Sequence, residues 1–354
     1  MIDNGKISII VPMYNCAEFA PKCIDNILSQ SYTNWELWLV HGDSNDGTES
    51  VCQSYEDKDS RIHNIFHIDG LVPARNVGYE HATGDWIMYI DGDDWIDGDC
   101  LVEIMEAAVK YNNPDVVFWK FVQDLGNRVV EGKWHFNDKF KEKLYVGDEC
   151  KDLACEAMDY KHGIGESYAK IAKRSYCRKY NLHQNSLLRQ GLEGWEYSLR
   201  LFYLADKVLY LNKYYNHYRY NPNSLSKVIS ENNAMYSRDS LVEIHKFIAQ
   251  MSKDDGDRFT KKIYERTQYV ILAIAMSTYF HPNNNLNYKV RCERFQSLIN
   301  RNDVFLNALN HIDYSIFDKK RAFSLFCLKY QYYSIITIIS KIKQYMFKRG
   351  LFKY

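Results

Sequence analysis

The tightest constraint in this sequence is a rhythm confined to its first third. Between Lys6 and Val122, short apolar runs rich in β-branched residues alternate with longer stretches whose apolar positions recur every three or four residues. Lys6 to Pro12, Trp35 to Val40, Arg61 to Ile68, Trp86 to Ile90 and Asp115 to Val122 read as strands. Glu18 to Gln30, a stretch opening near Thr48, Pro73 to Ala82 and Asp97 to Tyr111 read as helices. A buried strand followed by an amphipathic helix is a crossover unit, because the helix must bury its apolar stripe on the sheet. The rhythm therefore predicts an α/β, doubly wound sheet flanked by helices.

In such sheets ligands sit outside the carboxyl ends of the strands. Here those positions hold Tyr14 and Asn15, His41 to Asp46, Asp69 and Gly70, and Asp91 to Asp94. The run Asp91-Gly92-Asp93-Asp94 is the strongest chemical signal, three carboxylates in four residues directly after an apolar strand. Like charges this close repel and raise one another's pKa, so a positive partner is expected. Hard carboxylate oxygens suit Mg²⁺ or Mn²⁺, which binds through one or two protein carboxylates and completes its shell with substrate phosphate oxygens and water. The competing reading is a solvated turn that caps the next helix, a task Asp97 already performs in sequence.

After residue 125 the pattern loosens. A hairpin is predicted near Arg128 to Phe136, a helix from Glu193 to Leu204, and aromatic strands at Val208 to Leu211 and Tyr214 to Tyr220. Beyond Pro222 the period is helical, through Glu231 to Met251, Arg258 to Tyr279, Tyr288 to Asn300 and Arg321 to Lys348. The 46% hydrophobic and 25% charged residues are globular values. Nine cysteines, an odd number without a Cys-x-x-Cys pair, argue against a disulfide framework or structural zinc and for reduced thiols. Lys and Arg balance Asp and Glu at 45 each, which leaves no global basic field for nucleic acid. With no membrane-spanning window and no signal-like N-terminus, a cytoplasmic location is expected.

Five motifs in order resemble one family. Val11-Pro12-x-Tyr14-Asn15, the turn Ser44 to Thr48, Ala74-Arg75-Asn76-x-Gly78, Thr83 to Ile87 and Asp91 to Asp94 together look like the family 2 glycosyltransferases of GT-A fold. The resemblance implies a GT-A type mixed sheet over 1–225, with a nucleotide-sugar half (1–110) and an acceptor half (111–225), followed by a helical region over 226–354. It implies sugar transfer from a nucleotide diphosphate donor to an acceptor hydroxyl, with inversion, in bacterial surface glycan or polysaccharide assembly. Carried over by position, Pro12 and Tyr14 border the base, Arg75 lies near the base or diphosphate, and Asp91 with Gly92 faces the ribose. Asp93 ligates the Mn²⁺ or Mg²⁺, aided by Asp91, and His217 completes the metal shell or contacts the diphosphate. Tyr168, Lys170 and Lys173 fall on the acceptor side.

Two departures stand out. Relatives commonly carry paired Asp after the second strand, where this chain has His41 and Gly42, so either His41 or Asp43 would contact a base that the resemblance makes uracil. Relatives also open a later helix with Glu-Asp, and the second position here is Gly194. Glu193 is then the expected general base, with Glu196 in reserve; Glu196 is also spaced to pair with Arg200 on a helix. A relative that binds nucleotide sugar, or scaffolds, without transferring is the competing reading. A nucleotidyltransferase or a dinucleotide oxidoreductase would need phosphate-cradling glycines after a strand, and the first strand runs into Met13-Tyr14-Asn15-Cys16 instead.

The charge balance conceals an asymmetry. From Lys319 to Tyr354 there are nine Lys or Arg and no Asp or Glu, against 36 basic and 45 acidic residues elsewhere. Ile336, Ile339, Ile342 and Met346 form an apolar stripe among those cations. Two partners suit it: an anionic membrane surface near a glycan or lipid-linked acceptor, on the inner face of the plasma membrane, or a protein surface, including a second subunit in a homodimer.

Overall fold

The computed structural model describes residues 5–126, 128–131, 140–160, 164–221, 229–301 and 303–349. The chain divides into two compact units, one comprising Met1–Ala157 with Lys161–Pro222, the other Met158–Tyr160 with Asn223–Tyr354.

In the first unit the described strands are β1 (Ile7–Met13), β2 (Trp35–His41), β3 (Ile62–Phe66), β4 (Trp86–Tyr89), β5 (Trp95–Ile96), β6 (Val116–Asp124), β7 (Val129–Glu131), β8 (Lys143–Val146), β9 (Lys170–Lys173) and β10 (Lys207–Arg219). They form one mixed sheet of order β3-β2-β1-β4-β9-β6-β10-β5, with β7 beside β6 and β8 beside β10. The first four are mutually parallel, as crossover helices require, and β9 then runs antiparallel between β4 and β6. Helices α1 (Ala20–Leu28), α2 (Thr48–Glu56), α3 (Leu71–His81), α4 (Cys100–Lys110), α5 (Asp148–Ala157), α6 (Arg174–Lys179) and α7 (Glu193–Tyr203) accompany them.

Every side chain of β1 is buried, which explains why its sequence is an unbroken apolar run with a single polar residue. That residue, Ser8, donates to Glu36 Oε1 at 2.6 Å, and Glu36 also receives the Thr83 backbone and hydroxyl at 2.7 Å each and the Lys6 ammonium. This knot closes the amino end of β1, β2 and β4. Gly78 lets α3 lie directly on β1, since a Cβ there would meet Ile10 Cγ2 at 2.4 Å.

Several expectations shift. The aromatic segments at 208–211 and 214–220 are one continuous strand, β10, whose register with β6 slips between Tyr210 and Asn216, the irregularity that reads in sequence as a break. The hairpin near 128 is β6 with β7 as far as Glu131, and 132–136 lie outside the described residues.

The second unit is helical: α8 (Glu231–Ile248), α9 (Lys253–Ile274) running into a π-helical turn (Ala275–Tyr279), α10 (Tyr288–Asn300), α11 (Asp303–Asn310), α12 (Lys319–Lys329) and α13 (Tyr333–Lys348). Phe259, Phe280, Phe295, Phe305, Leu325 and Ile336 are fully buried. Met158–Tyr160 belongs here because α9 holds it: Arg266 Nε donates to the Met158 carbonyl at 3.2 Å, and Lys262 pairs with Asp159 at 2.7 Å. The single tail helix expected over 321–348 is two helices, broken where Gln331 takes a positive φ of 61°. Among the described residues no helix is long and apolar enough to cross a membrane.

Candidate active site

The strand ends of the parallel half are laced together before any charged cluster is added. Asn15, in the left-handed region at φ 46°, ends β1 in a turn whose N–H donates to Ser44 Oγ at 3.1 Å. The Asp46 carboxylate accepts from the Ala17 N–H at 2.9 Å and from the Thr48 hydroxyl at 2.6 Å, while the Thr48 oxygen accepts from the Cys16 N–H at 2.9 Å. The polar motifs at 14–16 and 44–48 are thus partners in one turn pair. Tyr14 stands half-exposed above it, against Gly42, whereas Pro12 is buried and Asp43 is exposed. His41 is buried beside Phe66, 5.4 Å between ring centroids, and its Nδ1 has no hydrogen-bond partner among the described residues.

The acidic turn sits against the end of β1. Asp94 N–H donates to the Asp91 carbonyl at 2.9 Å, closing a tight turn. A Cβ on Gly92 would fall 2.6 Å from Met13 Sδ and 3.0 Å from the Pro12 carbonyl, so only glycine allows this approach. Asp94 is fully buried and accepts from the Arg219 N–H at 2.9 Å, and Arg219 Nε donates to the Asp93 carbonyl at 3.0 Å. Burial first, then the charge of Asp91, pushes the Asp93 carboxyl above its ordinary range. The Asp94 carboxyl is pushed well above it by burial and by Asp93 and Asp91. The turn carries more negative charge than its protein partners offset, and its donors are hard oxygens, so the residues present fit a divalent cation.

A single arginine joins this turn to distant sequence. Arg75, on α3 and 2% exposed, donates from Nη2 to Asp91 Oδ1 at 2.7 Å and from Nη1 to Glu193 Oε1 at 3.0 Å. Nη1 also reaches Ser167 Oγ at 3.3 Å, and Gln184 Nε2 donates to that oxygen at 3.2 Å. A guanidinium presents its donors in a planar fork, so one side chain can orient two carboxylates at once. Asp91 and Glu193, 102 positions apart, thereby share one cation. Both carboxylates hold the guanidinium proton even though burial opposes it.

Glu193 opens α7, where the helix N-terminus favours negative charge. Its Oε2 accepts no hydrogen bond from the described residues. Glu196, one turn later, has both oxygens taken by Arg200, at 2.6 Å from Nε and 2.8 Å from Nη2. At Gly194 an added Cβ would meet the Gly165 carbonyl and the Ser167 N–H, each at 2.9 Å, so the loop at 165–167 occupies the space where a side chain would go. His217 Nε2 lies 2.7 Å from Asp97 Oδ1 with its ring stacked on Trp95, apart from Asp91 and Asp93. Among the described residues no group of three His, Cys, Asp or Glu side chains is placed to hold a metal ion. Lys170 is buried, its ammonium donating to the Glu166 and Tyr168 carbonyls, and desolvation lowers its pKa to about 7. Tyr168 is buried with its ring stacked on Tyr218, and Lys173 ends β9 with its ammonium on the Asn113 carbonyl.

Residues 8–159 match the model of a family described as "Glycosyl transferase family 2". That segment is similar to the family 2 glycosyltransferases. It is 29% identical over 238 residues to "Glycosyltransferase GlyA" of Streptococcus pneumoniae, an alignment covering 65% of this chain and 33% of that protein. It is 29% identical over 225 residues to "Uncharacterized glycosyltransferase EpsJ" of Bacillus subtilis, covering 63% of each. The chain thus spans less than two thirds of both relatives. TarS of S. aureus, residues 1–349 in complex with UDP-GlcNAc, superposes with a TM-score of 0.53 at 15% identity, over 86% of this chain and 90% of that one, which shows a shared GT-A type fold. The matched segment supplies Arg75 and the acidic turn, while Ser167, Glu193, His217 and Arg219 lie beyond it. Ser167, which Arg75 reaches, and Gln184, which bonds Ser167, carry no signal in the sequence, being polar residues in irregular segments brought to the site through folding alone.

Proposed function

We propose that this chain is a metal-dependent, inverting glycosyltransferase that moves a sugar from a nucleotide diphosphate donor, UDP-linked by preference, to a hydroxyl of a glycan or lipid-linked acceptor. The observation that carries the reading is the Arg75 bridge, which sets Glu193 beside the acidic turn at the carboxyl ends of the parallel strands. The presence of UDP-GlcNAc with TarS, on the same fold, supports the donor class.

Tyr14 and the laced turns after β1 and β2 form the platform for the base, with His41 or Asp43 beside it. Asp91, oriented by Arg75, would face the ribose, and Asp93 with Asp91 would hold a Mn²⁺ or Mg²⁺ ion; His217 would join that set only by leaving Asp97. The ion, when bound, supplies positive charge against the diphosphate. Arg75 fixes one oxygen of Glu193, leaving Oε2 to accept the proton of the acceptor hydroxyl as its oxygen bonds to the anomeric carbon and the bond to the diphosphate breaks. Glu196, with both oxygens on Arg200, is the less suited base. The basic tail would place such an enzyme on the inner face of the plasma membrane, where lipid-linked acceptors are found.

Glu193→Gln tests the assignment. Donor affinity by calorimetry should stay within about threefold while transfer falls by roughly 10² to 10⁴. A variant that transfers at the wild-type rate removes Glu193 from the mechanism, and a wild-type chain that binds donor without transferring to any acceptor favours the non-catalytic reading.

A further inference from the structure

The helical unit carries an exposed apolar surface that its own core does not explain. On α12, Phe323, Phe326 and Tyr330 recur at three- and four-residue spacing and all face solvent. At the break before α13, Phe326, Tyr330 and Tyr332 form an aromatic cluster, with centroids 4.7 Å apart for Phe326 and Tyr330, 6.2 Å for Phe326 and Tyr332 and 6.4 Å for Tyr330 and Tyr332. Each of these rings is 40 to 53% exposed. On α13 the stripe divides: Ile336 packs into the core, whereas Ile338, Ile342 and Tyr345, one turn apart in succession, are each more than half exposed. The stripe facing outward therefore shares only Ile342 with the one that the sequence suggests.

The charges around it are predominantly of one sign, Asp318 at the start of α12 being paired with Arg321. Lys319, Lys320, Arg321, Lys341, Lys343 and Arg349 are exposed, and the last 36 residues contain no Asp or Glu. A protein partner of ordinary composition would not require this bias; a surface of negative charge over an apolar interior would. Aromatic rings with polar edges suit the boundary between headgroups and acyl chains, and aliphatic side chains reach below it. We infer that the α12–α13 corner and the outward face of α13 dock on a lipid bilayer rich in anionic headgroups. The docking rests on unit-two residues alone and stands whether or not Glu193 is the catalytic base.

The test uses the full chain with vesicles of phosphatidylcholine, with or without 30% phosphatidylglycerol. The wild type should pellet with the anionic vesicles at least tenfold more strongly than with the neutral ones, and salt should weaken binding. Lys341→Gln with Lys343→Gln should lower partitioning by about 25-fold, each basic residue near the surface counting about fivefold. Ile338→Asn with Ile342→Asn, at positions already exposed, should lower it at least tenfold while circular dichroism and thermal midpoint are unchanged. Ile342→Trp should report a blue-shifted emission on adding anionic vesicles. Equal binding to both vesicle types, or wild-type binding by the Ile338→Asn/Ile342→Asn chain, would overturn the proposal. So would a wild type that ignores lipid but self-associates in sedimentation velocity through this face, which would assign it to a second copy.

Discussion

Two buried acidic sites occupy opposite ends of the same strands, and they are built on opposite principles. At the amino end, Glu36 has both oxygens satisfied by Ser8, Thr83 and Lys6, and its carboxyl is held down to about 2; burial alone would raise it, and the hydrogen bonds more than offset that. At the carboxyl end, burial first and then the charge of Asp91 push the Asp93 carboxyl up, and burial followed by the charges of Asp93 and Asp91 pushes up that of Asp94. One site is complete within the protein; the other is short of positive charge. A buried polar cluster that is fully paired serves the fold, and one left unpaired holds repulsion that a bound cation would relieve.

Arg75 belongs to both principles, since it neutralises part of the carboxyl-end cluster, and its removal should have the largest effect. Arg75→Met leaves Asp91 and Glu193 facing each other without their shared cation. Urea denaturation should show a loss of about 4 kcal/mol, with transfer falling below detection. Arg75→Lys should recover part of the stability and little of the activity, because an ammonium cannot bridge two carboxylates in plane.

The amino-end site should show itself in acid. A folded-state value near 2, below the ordinary 4.5 of an unfolded chain, means that the stabilisation is complete above about pH 4.5 and is lost as pH falls toward 2. Its full extent is about 3 kcal/mol, from the usual conversion of a pKa shift. Glu36→Gln should lose most of that at pH 7 and flatten this part of the acid slope in pH-dependent denaturation. Equal slopes in variant and wild type would show that Glu36 is not the clamp described.

Asp93→Asn should move the other way. Removing one charge from the crowded turn should raise stability by about 1 kcal/mol in the absence of divalent ions, while divalent-dependent donor binding is lost in calorimetry. Destabilisation by this change would collapse the contrast between the two ends. The smallest effect on catalysis belongs to the pair on α7: Arg200 also donates to the His183 carbonyl at 2.8 Å and Glu196 is buried, so Arg200→Gln should cost about 3 kcal/mol of stability and leave catalysis within a few fold.

The parts of the molecule that local chemistry dictates were legible in sequence. β1, β2 and β4 are mostly apolar runs because both faces are covered, and the Asp91 turn announces itself by its charge density. β9 was not legible: Lys170-Ile171-Ala172-Lys173 places two lysines in a four-residue strand, and only its antiparallel neighbours β4 and β6 make it one. β5, two residues long, exists by pairing with Asn216 and His217. Within the site, Glu193 and Arg75 could each be singled out by motif. Their contact, across 118 positions, could not, nor could the loop at 165–167 that fills the space beside Gly194.

Met158–Tyr160 has a practical consequence for anyone dividing this chain. Its partners Lys262 and Arg266 come from α9, more than a hundred residues later, so a cut after residue 222 would strand the Asp159 carboxylate and two main-chain carbonyls without the cations that meet them. The helical unit includes three residues from the middle of the earlier sequence, and any fusion or domain exchange would have to carry both segments together.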